Sequence, residues 1–485
     1  MHIGPRLESQ VFFPVGGWQD ICSALIDRQF AKHSLTIDPK ALAYAETACF
    51  QMAQEWLRFD PTVVTPPSDA EWCALFHPAS KGRLWLERCL QARTQDELSP
   101  YPVTVFVKME YSTRAIDSDK KYVPRLISMP SFSWAARVGP WVHAAQKRMA
   151  AMWDVRNNIT YATGRTKLEL GLKAEQLQGL WVLVMDIVKL DSCFQYEFME
   201  LITNLFNSWM PREIAEELVK MLFDQDEDPQ LFYSMQGVSA RVWLVTMLSG
   251  RGGTNAWDTA LSVLLMLCVY SRQYEVTMAQ AYREAIILAT GDDGQVAGPQ
   301  EWDIPAARDF LRGCGFEVTA FQTRNLWEAE FCSCYWQDIK PVKILVDGEE
   351  ELVRFALTSK IGRFLARFGL STKTNLALPG KKAEKRRRQY LKGKAECLYL
   401  DCASPLLRAF LSRVIDLCGP VKGKYEPEAH KTTNKVLFET IQYPEHELNR
   451  YGWSKDRYDV LVRQMQTLKN LDVVFRDHGE LSLDL

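Results

Sequence analysis

No apolar run in this sequence is long enough to cross a bilayer. The longest, Ala260 to Tyr270, ends after eleven residues and carries Ser262, so it reads as a buried helix. The opening stretch, Met1 to Pro14, lacks the basic start, apolar middle and small-residue cleavage site of a secretory signal, and the chain is expected to stay in the cytosol. Histidine is scarce, seven in 485 residues. None lies near Cys332, Cys334, Cys397 or Cys402, the most closely spaced of twelve scattered cysteines, and that spacing matches no zinc pattern. Structural zinc and a disulfide framework are both disfavoured, and free buried thiols in a reducing compartment are expected. The Gly-rich stretch Ser249 to Gly253 lacks a Gly-Lys-Ser/Thr ending, which excludes a Walker-type phosphate loop there. No internal repeat is visible. Net charge is nearly absent too, at -2, and by itself speaks against a polyanion partner.

What is present reverses that last inference. Between Lys360 and Lys394 twelve basic residues face one acid, Glu384. The densest part, with Lys381, Lys382, Arg386, Arg387 and Arg388, reads either as a phosphate-binding surface or as a solvated loop. A length of 485 residues suggests about three domains, and 47% hydrophobic residues suffice for a sizeable core.

Periodicity places the elements. Lys40 to Phe59 has helical spacing and stops at Asp60-Pro61, while Val103, Val105 and Val107 alternate as a strand inside a β-like, basic stretch that continues to Arg148. Helices are expected over Gly171 to Gly179, Ser192 to Trp209, Pro305 to Arg312, Leu406 to Leu417 and Tyr458 to Leu468. Another follows Thr254, which is expected to cap it. Phe331 to Trp336 and Val342 to Val346 read as two strands around Asp338.

Two apolar runs end in carboxylates. Ile286 to Thr290 reads as a buried strand leading into Gly291-Asp292-Asp293-Gly294, whose glycines are expected to supply the turn of a hairpin. Alone, such a tripeptide is a solvated turn. Trp181 to Met185, however, leads straight into Asp186, with Asp191 five residues on. If the two strands are neighbours, Asp186 and Asp292 repel and raise each other's pKa unless a cation neutralises them. A pair of Mg²⁺ ions, with Mn²⁺ as a substitute, does so and can stabilise both oxygens of an in-line phosphoryl displacement. The pattern points to nucleotidyl transfer.

Taken in order, Asp186-Ile-Val-Lys-Leu-Asp191, Ser249-Gly250-Arg-Gly-Gly-Thr254 and Gly291-Asp292-Asp293 resemble the first three palm motifs of a viral RNA-dependent RNA polymerase. Lys108-Met-Glu110 with Pro124-Arg125-Leu-Ile127, and Glu330-Phe331-Cys332-Ser333 downstream, resemble the tombusvirus and nodavirus-like positive-strand group. The likeness covers roughly residues 105 to 336. It implies an α+β right-hand polymerase with fingers, palm and thumb, and an antiparallel palm sheet flanked by helices. Residues 1–180 would form the N-terminal segment and fingers, 181–210 the first acidic palm motif, 211–248 a fingers insertion, 249–348 the rest of the palm and 349–485 the thumb.

The resemblance also implies roles. Asp186, Asp292 and Asp293 would hold the metals, Lys108 and Arg125 the triphosphate, and Asp191 with Ser249, Thr254 and Asn255 the nucleotide sugar. Template and product RNA, ribonucleoside triphosphates and a separate membrane-anchored replicase subunit would be the partners, in host cytoplasm. Two departures stand out. Relatives carry a lysine where Thr319 stands here, leaving Arg324 as an electrostatic partner. They also carry an asparagine where Asp258 stands, so that Asn255 or Thr254 would take over the sugar. An acid at Asp191 disfavours a reverse transcriptase, whose bulky residue there blocks a 2'-hydroxyl, and intact Asp186, Asp292 and Asp293 disfavour an inactive RNA-binding scaffold.

Overall fold

A computed structural model describes residues 3–29, 35–75, 78, 81–92, 103–114, 118–119, 122–215, 230–234, 237, 239–242, 253–371, 376, 379–424, 438–475, 481 and 484. They form a mixed α+β protein. β1 (Arg6–Leu7) and β2 (Gln10–Phe12) are short, and β3 (Val103–Val107) buries its three valines, as a period of two requires. β4 (Ser112–Arg114) and β5 (Leu126–Met129) follow. The β-like reading of the basic stretch fails from Phe132 onward. Ser131 accepts a hydrogen bond from the Trp134 amide and starts a helix, Phe132–Met152, that carries Arg137 and Arg148.

β6 (Ile159–Tyr161), β7 (Trp181–Ile187), β8 (Gln230–Ser234), β9 (Ser239–Val242), β10 (Ile286–Thr290), β11 (Asp293–Gly298) and β12 (Val318–Thr323) complete two sheets. One runs β5-β3-β8-β9 and joins the 230–242 segment to the basic stretch. The central sheet runs β12-β7-β11-β10-β6. It is not purely antiparallel, because β6 pairs parallel with β10. β6 closes the edge that buried β10 would otherwise leave with unmet backbone groups. Residues 159–161 therefore belong to the central sheet, and a boundary at 180 cuts across it.

One face of that sheet lies on a helix, Thr254–Tyr274, in which every residue from Ala256 to Ser271 is buried. Its N-cap is Gly253 at φ 98°, with no side-chain cap, so Thr254 is the first helical residue and does not cap it. A side chain at 253 would meet Trp257 and Val142, which is why the cap is glycine. Pro39–Phe59, capped by Asp38, packs on this helix and on Tyr196–Asn207 in the same core. The expected single helix over 192–209 is interrupted by Phe194, which is fully buried and extended.

β13 (Cys334–Val346) is one strand with an irregularity between Asp338 and Val342, and it pairs along its length with β14 (Glu349–Ser359). A division at 349 therefore falls inside a hairpin. Beyond it, Ile361–Phe368, Lys381–Leu400, Pro405–Cys418 and Lys455–Gln466 share a second core, which Ile3 and Leu7 also enter. β1 pairs parallel with β15 (Val474–Phe475), so the first described residues belong with the last. No helix among the described residues is long and apolar enough to cross a membrane.

Candidate active site

The sheet register decides which side chains meet. Thr290 pairs with Asp293, Asp293 with Asp186, and Asp186 with Thr319, so these four residues make one row across β10, β11, β7 and β12. Directly opposed residues point to the same face, with Cβ atoms typically about 5 Å apart. Alternate residues, among them Ala289, Gly294, Met185 and Ala320, take the other face. A Cβ at Gly294 would lie 2.8 Å from Met266 of the Thr254 helix. Gly294 thus permits close packing within β11, and the turn relies on Gly291 alone, at φ 59°.

Asp292 occupies that turn, and the helix beneath pins it. The Gly291 amide donates to Thr259 Oγ1 (2.8 Å), and Ser262 Oγ donates to the Gly291 carbonyl (2.7 Å). Asn255 Oδ1 accepts from Tyr161 Oη (2.6 Å) and Thr163 Oγ1 (2.7 Å), while its Nδ2 donates to Thr290 Oγ1 (3.2 Å). Both backbone groups of Gly291 are thereby fixed by a rigid element.

Like charge accumulates at this end of the sheet. The surrounding protein and the Asp292 charge raise the Asp186 pKa, with Arg125 opposing. The Asp293 carboxyl is pushed up to about 6 by burial and by Asp292 and Asp186, against opposing effects of a Cys332 hydrogen bond and Arg363. Cys332 and Ser333 both have left-handed backbones (φ 51° and 59°), and this strained turn brings the thiol to Asp293. Among the described residues no three His, Cys, Asp or Glu side chains form a ready metal cage. Mg²⁺ commonly takes one or two carboxylates and fills its shell with water and substrate phosphate, so mutually repelling acids on neighbouring strands suit it chemically.

Cations approach from two sides. Lys108 pairs with Glu110 at 3.0 Å, Arg125 Nη1 lies 3.9 Å from the same carboxylate, and the Lys108 amide donates to the Arg125 carbonyl. Helix Ile361–Phe368 supplies Arg363 toward Asp293 and Arg367, whose Nε donates to Thr113 Oγ1 (3.2 Å). Burial and the Arg363 charge lower the Arg367 pKa to about 10. Arg363, Cys332, Tyr161, Thr259 and Ser262 were not singled out as site residues from the sequence. The usable signals were Ser262 interrupting an apolar helix and the basic residues that open the 360–394 run.

Other expected residues fall elsewhere. The Asp191 side chain and all of Ser249 lie outside the described residues. Asp258 is buried on its helix, while Thr254 is at the helix start. Arg324 does not reach the acids. It follows Thr323, which pairs with Val182, and it donates to the Gly179 carbonyl and covers Trp181 at the far end of β7. Lys381, Lys382, Arg386, Arg387 and Arg388 form the start of a helix and not a loop. There Arg387 pairs with Glu384 (2.7 Å) and Asp472 (3.1 Å), and Arg388 with Glu384 (2.8 Å).

No protein-family model matches this chain, and no curated protein matches it at a significant level.

Proposed function

We propose that the chain is a right-hand RNA-dependent RNA polymerase that copies a viral RNA genome from ribonucleoside triphosphates. One observation carries this reading: Asp186 and Asp293 are opposed across neighbouring strands, Asp292 sits in the adjoining turn, and all three are in electrostatic contact. In this reading the central sheet and the Thr254 helix are the palm, the β5-β3-β8-β9 sheet the fingers, and the helices after β14 the thumb.

When bound at these acids, Mg²⁺ would neutralise the attacking and leaving oxygens of the transferred phosphorus. The protein's own share is placement. Thr259 and Ser262 hold the turn so that Asp292 and Asp293 need not reorganise as charge develops. Glu110 holds Lys108 and lies beside Arg125, whose charge is felt at Asp186, and an arriving triphosphate would take over that partnership, with Arg125 offering a planar fork to phosphate oxygens. The exposed basic residues of helix Lys381–Leu400 would hold RNA backbone. Attachment to a membrane would fall to a separate replicase subunit in the host cytoplasm.

The test is to incubate purified protein with a short RNA template, four ribonucleotides and Mg²⁺ or Mn²⁺. Template-length product lost on Asp292→Ala is expected. RNA binding without synthesis would leave an inactive scaffold, and synthesis only from deoxyribonucleotides would mean a reverse transcriptase.

A further inference from the structure

The hydrogen-bond donors around Asn255 outnumber their acceptors by one. Thr163 Oγ1 lies 2.7 Å from Asn255 Oδ1 and 2.6 Å from Thr290 Oγ1, and Asn255 Nδ2 lies 3.2 Å from the same Thr290 oxygen. A hydroxyl has one proton to give. If Thr163 gives its proton to Oδ1, Thr290 must donate to Thr163, and Thr290 then accepts from Nδ2. The three side chains close a ring with a single sense. Tyr161 Oη supplies a second donor to Oδ1, and burial holds this hydroxyl in its protonated form. Oδ1 is therefore saturated and the amide cannot flip.

One proton is left over, the second N–H of Asn255, which has no partner among the described residues. It borders the turn that carries Asp292, since a Cβ at Gly291 would lie 3.6 Å from Nδ2 and begin to cover it. Asp258, the other candidate for a sugar contact, is buried. We propose that Tyr161, Thr163 and Thr290 are positioning residues that aim this one uncommitted N–H at the ribose hydroxyl of the incoming nucleotide, so that sugar choice is set partly from β6 and the turn after it. This rests on the polymerase reading.

The experiment measures single-nucleotide incorporation of ribo- and deoxyribonucleoside triphosphates with Mn²⁺ by the parent, Tyr161→Phe, Thr163→Val, Thr163→Ser and Asn255→Asp. Loss of one neutral hydrogen bond corresponds to about fivefold in an equilibrium. Tyr161→Phe and Thr163→Val should therefore lower the ribo-to-deoxy preference about fivefold, chiefly through a higher KM for the ribonucleotide. Thr163→Ser should restore it, and Asn255→Asp, which has no N–H to offer, should lower it by about tenfold or more. A purely structural role would slow both sugars alike. Variants that slow incorporation but leave the preference at the parent's value overturn this inference alone. A parent that incorporates neither sugar overturns the polymerase reading and this inference with it.

Discussion

Two clusters of acids flank the turn at residues 330–334, and the protein treats them oppositely. On one side Asp186, Asp292 and Asp293 face one another, and nearby Arg125 and Arg363 do not offset the upward push on Asp186 and Asp293. On the other side Glu330, Asp484 and Glu447 each have an answer. Glu330 pairs with Lys360 (2.5 Å) and Arg450 (2.6 Å), and despite its burial these cations lower its pKa. Buried Asp484 accepts from the Gly362 amide and the Tyr451 hydroxyl beside Arg450. Fully buried Glu447 lies against Ser404, and burial pushes its pKa up to about 8, so it is answered by a proton. Compensated acids hold a fold together, whereas uncompensated acids held on rigid strands are the pattern of a candidate binding site.

The strongest way to break this contrast is to remove one charge from each side. Asp186→Ala or Asp292→Ala should cut RNA synthesis by at least about a thousandfold, roughly 4 kcal/mol of barrier, while RNA binding persists. Without metal, Asp293→Asn should leave thermal stability unchanged or raise it by roughly 0.5–1 kcal/mol, because it relieves repulsion. Synthesis within tenfold of the parent would remove the catalytic assignment. A marked loss of stability would mean that these acids are structural after all.

On the compensated side the sign reverses. Arg450→Met leaves Glu330 and buried Asp484 facing each other without their shared cation, which should cost about 3 kcal/mol in chemical denaturation. Activity per folded molecule should change far less than for Asp186→Ala. Equal stability of parent and variant would show that the Arg450 network contributes only geometry.

How much of this was legible in the sequence follows from the range of the interactions. The strand-to-acid patterns at 181–186 and 286–293 are local, and they were readable because a buried strand needs no distant partner to look apolar. β6 was not: Ile159, Thr160 and Tyr161 are three residues whose parallel pairing with β10 spans more than a hundred positions. The same applies to Asn255, whose type and place were legible but whose acceptor is filled from residues 92 and 94 positions away. Chain order also does not reveal that the central sheet draws strands from both sides of residue 180, or that a hairpin runs across 349. Charge alone leaves the basic run readable as a phosphate-binding surface or a solvated loop. It is a helix because no glycine or proline interrupts 381–392 and Glu384 sits one turn from Arg388.

A milder test concerns the acid that carries its own proton. A carboxyl whose folded pKa is raised is most favourable below its unfolded value, near 4.5, and loses that contribution as pH rises through about 8. Parent stability should therefore fall between pH 5 and pH 8.5 by an amount that Glu447→Gln abolishes, on the order of 4 kcal/mol. The two proteins should unfold alike at pH 5, and the glutamine variant should be the more stable at pH 8.5. Parallel stability curves would show Glu447 to be ionised, with a counter-charge yet to be identified.

The smallest expected effect carries the contrast over to cations. On helix Lys381–Leu400 the sequence singled out five basic residues, but the structure divides them. Arg387 and Arg388 are engaged by Glu384 and Asp472, whereas Lys381, Lys382 and Arg386 are exposed with no partner among the described residues. A cation already paired releases its acid when it binds phosphate, so it adds little net counterion release. A free one adds roughly 0.7 to the salt slope per phosphate on a single strand. Replacing Lys381, Lys382 and Arg386 together by Ala should therefore flatten the dependence of log K on log salt by about 2, alike for all RNA sequences. Replacing Arg387 and Arg388 should flatten it by less than about 1 and lower stability slightly through the lost pairs. The measurement is RNA binding by fluorescence anisotropy across a salt series. A larger drop for the Arg387 and Arg388 pair would mean that RNA displaces Glu384 and Asp472, and that pairing in the free protein does not mark a cation as structural. No change in either variant would return the whole helix to a solvated face.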